Sequence, residues 1–256
     1  IDLAVAAFYW LLWPCECLHR AIVDPDDGNT KPYELRHIHL TIDGKTYPAL
    51  TAPLHDSTSI DRIQSATLQL DDQKNGVKGE SIGHAATNDP TFCPAKALGR
   101  IAQRHQRYHA ANPQDPIPPS FRKIYEHQGP DGTWYDTANA HVTLALRTAA
   151  KSVAGTTGIS HKLISARSLR PGGATALLCA GIDKDTIKLV GRWKSDAMLL
   201  YLRAQAVVIG QRFSQQMLDH GSYAFTPLVL ERDHLALPLN VSQAVQDLHA
   251  LLGPKQ

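Results

Sequence analysis

Four residues with the chemistry to act on a phosphate lie close together in the second half of the chain: Arg167, Arg170, Trp193 and Tyr201. An arginine side chain binds a phosphate through two parallel N–H donors, and an indole adds one further N–H donor. A lone helical tyrosine such as Tyr201 is more often a core residue than a catalytic one. The segment Ile164–Arg203 therefore contains residues able to hold a phosphate group, and the tyrosine alone does not indicate a reaction.

The expected setting of Arg170 favours this interpretation. A helix is predicted over Arg170–Ala180, and the backbone N–H groups and positive dipole at a helix start favour a bound anion. Gly172 and Gly173 would allow that anion to come close to the backbone. The structural alternative is that both arginines form ion pairs with acidic surface residues and that the tyrosine packs in the core.

Positive charge is concentrated around these residues. The whole chain carries a formal charge of +2, whereas Ser160–Arg203 holds eight Lys or Arg and three Asp, a local charge of +5. A basic patch is usually a solvated surface, and the main alternative is a surface that binds a polyanion such as nucleic acid. The residues expected to contact DNA are Arg167, Arg170, Lys188, Arg192 and Lys194.

Cysteine and histidine patterns indicate neither a disulfide framework nor a metal site. Cys15 and Cys17 form a closely spaced pair, but the other two cysteines do not match that spacing. A reducing compartment is therefore expected. A metal-dependent hydrolase built on His37 and His39 is a weak alternative, because no third ligand is fixed beside them by spacing.

The first residues are apolar but too few to span a bilayer. The stretch IDLAVAAFYWLLW is apolar over about a dozen positions, carries Asp2 and lacks a basic leader or a cleavage pattern. It predicts a core helix that runs to about His19 or Ile22. Because the chain begins without methionine and already inside this pattern, we expect that an upstream region is missing.

Two β-hairpins are predicted in the first third of the chain. ELRHIHLTIDGKTY alternates before Asp43-Gly44, which is a strong hairpin signal. A second hairpin is expected where ATLQL precedes the Asn75-Gly76 turn and Ile82 lies on the returning strand. Lys74 would lie at the tip of this second hairpin.

Helical periodicity dominates the rest of the chain. A basic helix begins at Pro94, and another is predicted within TANAHVTLALRTAAKSVAG. Three shorter helices follow near Arg170–Ala180, Lys184–Val190 and Ser195–Leu218. The predicted fold class is α+β, mainly α, with a small antiparallel sheet of β-hairpins packed against helices.

The segment RSLRPGGATALLCAGIDKDTIKLVGRW and the tyrosine after it resemble the catalytic domain of tyrosine recombinases, the phage-integrase-like enzymes that cut and rejoin DNA. The match in order and spacing covers about forty residues, and GRWKSDAMLLYLR looks most like integrases of mobile elements. QKNGVKGE is more weakly similar to the family's lysine-bearing hairpin, and FYWLLWPCEC to a first block of the type LLRPGE. The resemblance extends to about Leu218 and implies a recombinase-like helical core.

This resemblance implies a role for each matching residue. Arg170 would be the second catalytic arginine, Lys74 the general acid for the leaving 5′ oxygen, and Tyr201 the nucleophile that forms a 3′-phosphotyrosine. Trp193 would donate a hydrogen bond to the phosphate. Arg192 is the alternative for that last position, because it precedes the tyrosine by nine residues and Trp193 precedes it by eight. We favour the tryptophan for its indole N–H.

Two positions depart from the family pattern. Trp13 stands where the first catalytic arginine is expected, although Glu16, which resembles its acidic companion, is kept. Arg167 stands where the family usually has histidine, and a guanidinium is a poor proton acceptor at neutral pH. The resemblance therefore implies either an impaired recombinase or a non-catalytic, DNA-binding remnant of a mobile-element integrase.

The resemblance also implies the setting in which the chain works. The partner would be double-stranded DNA, bound by a homo-multimer that aligns two duplexes, with no metal, cofactor or membrane. Residues 1–219 would form the catalytic domain without the N-terminal core-binding domain, and residues 220–256 a tail that docks on the same chain or a neighbour. No targeting signal is visible, so we expect an intracellular protein located with DNA, nuclear in a eukaryote and cytoplasmic in a bacterium.

Overall fold

The computed structural model describes residues 1–20, 30–71, 79–129, 131–154, 160–195 and 198–199. The predictions for Lys74, Tyr201, the tail 220–256 and most of the helix near Ser195–Leu218 lie outside these residues. The α-helices and strands of the described part are α1 (Asp2–Tyr9), α2 (Pro14–Cys17), β1 (Ile38–Ile42), β2 (Lys45–Pro48), α3 (Ser57–Asp61), β3 (Ile63–Leu70), β4 (Glu80–Ala85), α4 (Pro94–Ala111), β5 (Glu126–Gln128), β6 (Trp134–Asp136), α5 (Asn139–Ser152), α6 (Leu169–Cys179) and α7 (Lys184–Val190).

The two predicted hairpins belong to one antiparallel sheet. β1 and β2 are joined by the predicted Asp43-Gly44 turn, whose positive φ angles of 50° and 76° match the twist of a tight hairpin. β3 pairs with β4 on one side and with β1 on the other, which gives the strand order β2-β1-β3-β4. Ile82 lies on β4 as predicted, while the Asn75-Gly76 turn lies outside the described residues.

The first helix ends earlier than predicted. α1 stops at Tyr9 and α2 begins at Pro14, so the prediction of one helix to about His19 or Ile22 is wrong. The helix breaks at Leu11, which adopts a left-handed φ of 50°. Pro14 contributes as well, because a proline disfavours the helical conformation in the residue before it. Because of this break, the Leu11 carbonyl leaves the helical hydrogen-bond pattern and is open to side chains.

α4 packs against the sheet, α1 packs against α4, and both helices contribute to the main core. Trp10 is fully buried, and its indole Nε1 donates to the Ile82 carbonyl oxygen on β4 at 2.8 Å. Leu40 and Leu68 of the sheet and Ile101 of α4 are buried in the same core. Since α6 also packs against α1, this helix connects the core to the segment that carries the predicted site residues.

The predicted helices α4 and α5 are both present but are buried to different extents. α4 begins at Pro94 as predicted and buries Ala97 and Ile101. On α5 Val142 is buried, whereas Leu144 is 68% exposed. The predicted apolar stripe of α5 therefore does not form a core-facing surface as a whole.

α6 and α7 agree with the predicted helices in position and length. α6 ends just before Gly181, whose φ of 83° is the left-handed conformation that stops a helix. The Asp183 carboxylate accepts hydrogen bonds from the backbone N–H groups of Asp185 and Thr186 and so caps α7. This short connection leads the chain back through α7 to Gly191, beside the start of α6.

The described part of the chain is thus of the α+β class, with the small antiparallel sheet that the hairpins predict. A second, two-stranded sheet is formed by β5 and β6. None of the helices within the described ranges is long and apolar enough to cross a membrane.

Candidate functional site

Several of the residues singled out in the sequence meet where α1 ends. The break at Leu11 and the following α2 supply one side, α6 supplies Arg170, and the turn after α7 supplies Gly191 and the two residues after it. We call this group the Arg170–Arg192 cluster. Its side chains are those of Trp13, Glu16, Tyr33, Arg170, Arg192 and Trp193.

Arg170 is only 2% exposed. Its Nη1 donates to the Leu11 carbonyl oxygen, and its Nη2 donates to the Gly191 carbonyl oxygen at 2.6 Å. Its guanidinium carbon lies 4.5 Å from the ring centroid of Trp13 and 4.1 Å from that of Trp193. Cation–π contacts of this kind strengthen when the cation is shielded from water. Two main-chain carbonyls and two indole rings therefore hold this guanidinium.

Arg192 forms a buried ion pair with Glu16. Its Nη1 donates to Glu16 Oε1 at 2.9 Å, and its Nη2 donates to Oε2 at 3.2 Å, which is the two-pronged geometry that arginine makes with a carboxylate. Nη1 also donates to the Tyr33 hydroxyl oxygen at 3.2 Å. Burial alone would lower the pKa of Arg192, but the nearby Glu16 charge and Tyr33 raise it above its ordinary value, so the guanidinium stays charged.

Glu16 is oriented by the short helix that carries it. It is the third residue of α2, and its Oε2 accepts a hydrogen bond from the backbone N–H of Trp13, the residue before that helix, at 2.8 Å. The Tyr33 backbone N–H donates to the Glu16 carbonyl oxygen at 2.7 Å. Burial, and then the Glu16 charge, raise the pKa of the Tyr33 phenol, which therefore remains protonated at neutral pH.

Two left-handed residues lie at the centre of the cluster. Leu11 has a φ of 50° and Arg192 a φ of 60°, a conformation that costs side-chain-bearing residues about 1–3 kcal/mol. The Leu11 carbonyl accepts from Arg170 and also from Arg192 Nη2, the latter at 3.0 Å. Backbone strain of this kind persists only where the surroundings hold it, and here the surroundings include both guanidinium groups.

The glycines of this segment serve packing. A Cβ on Gly191 would lie 1.6 Å from a ring carbon of Trp193, so a glycine is needed where the indole folds over the backbone. A Cβ on Gly173 would lie 2.2 Å from the Phe8 carbonyl oxygen and 2.5 Å from Leu11. The expectation that Gly173 allows close approach of an anion is therefore wrong, because α1 occupies that space.

The structure brings five of the predicted site residues together and leaves others outside the cluster. Arg167 lies exposed on the 3₁₀ helix Ala166–Ser168, and Lys194 is exposed after the Gly-Arg-Trp turn. Lys188, on α7, is partly buried. The residues brought together are Trp13, Glu16, Arg170, Arg192 and Trp193.

Arg170 and Arg192 do not lie on an open basic surface, which corrects the expectation that they do. Both are buried. The Leu11 carbonyl oxygen accepts a hydrogen bond from each guanidinium, and Glu16 forms an ion pair with Arg192. Tyr33, which was not among the predicted site residues, contributes the hydroxyl beside Arg192. It lies in an irregular segment before β1, and no motif or periodicity distinguishes it.

Two cavities lined by described residues lie away from the cluster. One of about 880 Å³ runs between α1 and α5 and is mostly apolar, and one of about 270 Å³ lies between α4 and the β5–β6 hairpin. None of the predicted site residues lines either cavity.

The weak metal alternative gains no support from His37. Its Nδ1 accepts from the Glu34 backbone N–H at 2.9 Å, and its Nε2 lies 3.3 Å from an Asp71 carboxylate oxygen. Among the residues that the structure describes, no group of three or more His, Cys, Asp or Glu is arranged to hold a metal ion.

Comparison with known proteins gives no match to this chain: no protein-family model fits it, and neither curated proteins nor solved structures show significant similarity.

Proposed function

We propose that this chain binds double-stranded DNA and acts on it as a tyrosine recombinase, breaking and rejoining strands through a 3′-phosphotyrosine at Tyr201. The observation that carries the proposal is the convergence of separate sequence blocks in one cluster. Glu16 and Arg192, which are 176 positions apart, form an ion pair, and Arg170 lies against Trp193 beside them. These are the blocks that the family resemblance assigns to a single active site.

The proposed reaction has two steps, formation of the phosphotyrosine bond and its reversal. The Tyr201 hydroxyl gives its proton to solvent, and its oxygen forms a bond to the scissile phosphorus. At the same time the bond from phosphorus to the 5′ oxygen breaks, and Lys74 gives that oxygen a proton. Arg170 and the indole N–H of Trp193 stabilise the added negative charge on the phosphate. Attack by the 5′ hydroxyl of another strand reverses the step and releases the tyrosine. No ATP or water is consumed, and exchange between two duplexes requires a homo-multimer.

One feature of the cluster favours a second function, which is DNA binding without cutting. The terminal nitrogens of Arg170 are engaged by the Leu11 and Gly191 carbonyls, and the Trp13 ring lies where the resemblance expects a further arginine. A phosphate could bind Arg170 end-on only by displacing one of those carbonyls. The missing cation would by itself lower the cleavage rate by about 10²–10³. A remnant that has lost cleavage would keep its exposed cations and its affinity for DNA.

A pool of nicked duplexes with randomised sequence tests the proposal. A nick next to the cleavage position lets the short 5′-hydroxyl fragment diffuse away, so any covalent protein–DNA adduct accumulates and shifts on a denaturing gel. We expect an adduct with the unmodified chain and none with Tyr201→Phe, whose duplex affinity should be nearly unchanged because only one oxygen is removed. Lys74→Ala should slow adduct formation without abolishing DNA binding.

The outcomes separate the two functions. An adduct that persists in Tyr201→Phe refutes the assigned nucleophile. Duplex binding that weakens steeply with added salt, together with no adduct, supports the non-catalytic remnant. An unmodified chain that binds no duplex at low salt contradicts both.

A further inference from the structure

A long stretch of the chain without acidic residues carries several exposed cations. Between Asp136 and Asp183 the sequence has no Asp or Glu at all. Within the described residues, no ion pair joins the exposed cations of this stretch to a carboxylate. These cations are Arg147, Lys151, Lys162 and Arg167.

A short loop in this stretch is fixed to α5 by side-chain hydrogen bonds. Arg147 Nε donates to the Ile164 carbonyl oxygen at 2.8 Å, and its Nη2 donates to the Lys162 carbonyl oxygen at 3.1 Å. The backbone N–H of Ala166 donates to the Thr143 hydroxyl oxygen at 3.1 Å. Residues 162–166 therefore keep a defined position on the surface of the helix.

This fixed loop presents a leucine to solvent. Leu163 is 81% exposed and lies between the two carbonyls that Arg147 binds. Leu144, three residues before Arg147 on α5, is 68% exposed. A single exposed leucine is ordinary on a protein surface. Here, however, hydrogen bonds hold the backbone on both sides of the leucine, with Lys162 before it and Arg167 after it, and neither cation is paired with a described carboxylate. A surface held in position in this way has a lower entropy cost of binding a partner.

We propose that Lys162, Leu163 and Arg167 form a contact surface for duplex DNA, in which the two cations bind phosphates and the leucine packs against the deoxyribose wall between them. The inference rests on the proposed DNA binding and names a part of that interface. Three observations favour a polyanion with an apolar groove wall: the absence of acidic residues, the unpaired cations and the exposed leucine.

Salt-dependent duplex binding by the full chain tests the proposal. Fluorescence anisotropy with a labelled mixed-sequence duplex is measured over a salt series for Leu163→Ser, Lys162→Gln, Arg167→Gln and a control, Ile117→Ser, which removes an exposed aliphatic residue elsewhere. We expect Leu163→Ser to weaken binding about tenfold with an unchanged salt slope, since it removes apolar contact area and no charge. Each cation variant should reduce the log–log salt slope by about 0.9. The control should match the unmodified chain.

Other outcomes would overturn the inference in distinguishable ways. Unchanged affinity in Leu163→Ser, with weaker binding in the cation variants, removes the leucine contact but leaves DNA binding intact. A self-association in analytical ultracentrifugation that Leu163→Ser abolishes would assign the surface to a second copy of the chain. Binding to vesicles of anionic phospholipid, with none to duplex, would assign it to a membrane and would also contradict the proposed function. Unchanged thermal unfolding of each variant excludes misfolding, because all three positions are exposed.

Discussion

The guanidinium carbon of Arg170 lies 4.5 Å from the ring centroid of Trp13, so an aromatic ring contacts the arginine at the position where the sequence resemblance expects a second cation. The ring offers the arginine a negative face instead of a like charge. Trp13 therefore does more than replace an arginine, because its ring contacts the guanidinium of Arg170 and helps to hold it in place.

Trp13→Arg should destabilise the fold. The new guanidinium would lie beside the buried Arg170 with no additional carboxylate, since both Glu16 oxygens already bind Arg192. We expect a loss of about 2 kcal/mol or more in the free energy of unfolding. Urea denaturation measures it, and Trp13→Phe is the matched control, with a cost near 1 kcal/mol because an aromatic ring is kept. Equal stability of the Trp13→Arg and Trp13→Phe proteins would contradict the cation–π contact proposed to hold Arg170.

The same Trp13→Arg variant is informative for cleavage. If the lost cation limits the proposed reaction, Trp13→Arg forms more covalent adduct on the nicked duplex even though it is less stable. No adduct in either the original chain or Trp13→Arg would favour the non-catalytic remnant.

Glu16→Gln should be among the most destabilising isosteric changes at the cluster. The amide oxygen can still accept from the Trp13 backbone N–H, but the buried guanidinium of Arg192 loses its counter-charge. Removal of one partner of a buried pair costs about 3–5 kcal/mol. Urea denaturation measures the loss. The control is Asp43→Asn, which breaks the exposed pair between Asp43 and Arg62 and should leave the unfolding midpoint within experimental error.

A double-mutant cycle sharpens this prediction. Glu16→Gln and Arg192→Met are combined, and their effects should be strongly non-additive because each removes the same ion pair. Additive effects would show that the two residues contribute to stability independently, which contradicts the pairing at 2.9 Å.

The sequence predicted the local elements well where a short signal determines the backbone. The Asp43-Gly44 turn, the start of α4 at Pro94 and the bounds of α7 all depend on one or two residues whose conformational preferences are strong. The end of α1 could not be predicted in this way. Leu11 has no intrinsic preference for a left-handed φ, and only the tertiary contacts of its carbonyl account for it.

The candidate site was predicted in composition but not in arrangement. Motif order selected Arg170 and Trp193, and both lie in the cluster. Their burial could not be anticipated, because spacing does not reveal that α1 ends with an open carbonyl beside α6. The β5–β6 hairpin went unpredicted although Asp131-Gly132 is a turn signal, because strands of three residues are too short to show an alternating pattern. Tyr33 went unpredicted because it lies in an irregular segment without a motif.

The neighbouring glycines of α6 should respond oppositely to substitution by alanine. A Cβ on Gly173 would lie 2.2 Å from the Phe8 carbonyl oxygen, a backbone atom that cannot move without shifting α1. We expect Gly173→Ala to cost about 1–3 kcal/mol. A Cβ on Gly172 would lie 3.6 Å from the Phe8 ring, which is ordinary contact, so Gly172→Ala should gain up to about 1 kcal/mol from helix propensity.

Thermal unfolding and duplex binding of both glycine variants distinguish packing from anion approach. If Gly172 serves close approach of a phosphate, its alanine variant loses DNA affinity while gaining stability. Equal stability of the two variants would contradict the close packing of α6 against α1 at Gly173.

Stability should fall in acid because of His105. This side chain is 2% exposed, and its ring stacks on Trp134 with centroids 5.4 Å apart. Burial, followed by the nearby His109 and Arg104 charges, lowers the pKa of His105 to about 3. In the unfolded chain the pKa returns to about 6.5. The unfolded state therefore binds an extra proton between these values, so the folded state loses stability as pH falls below about 6.5 and continues to lose it towards about 3.

For His105 alone, the free energy of unfolding should drop by about 2 kcal/mol between pH 7 and pH 5. His105→Phe keeps an aromatic ring against Trp134 but cannot take up the proton, so its loss over the same interval should be smaller by that amount. Some pH dependence should remain, because burial also lowers the pKa of His37 and His84. Urea denaturation of both proteins at the two pH values measures the difference. Identical pH slopes would mean that His105 is already able to take up a proton in the folded chain.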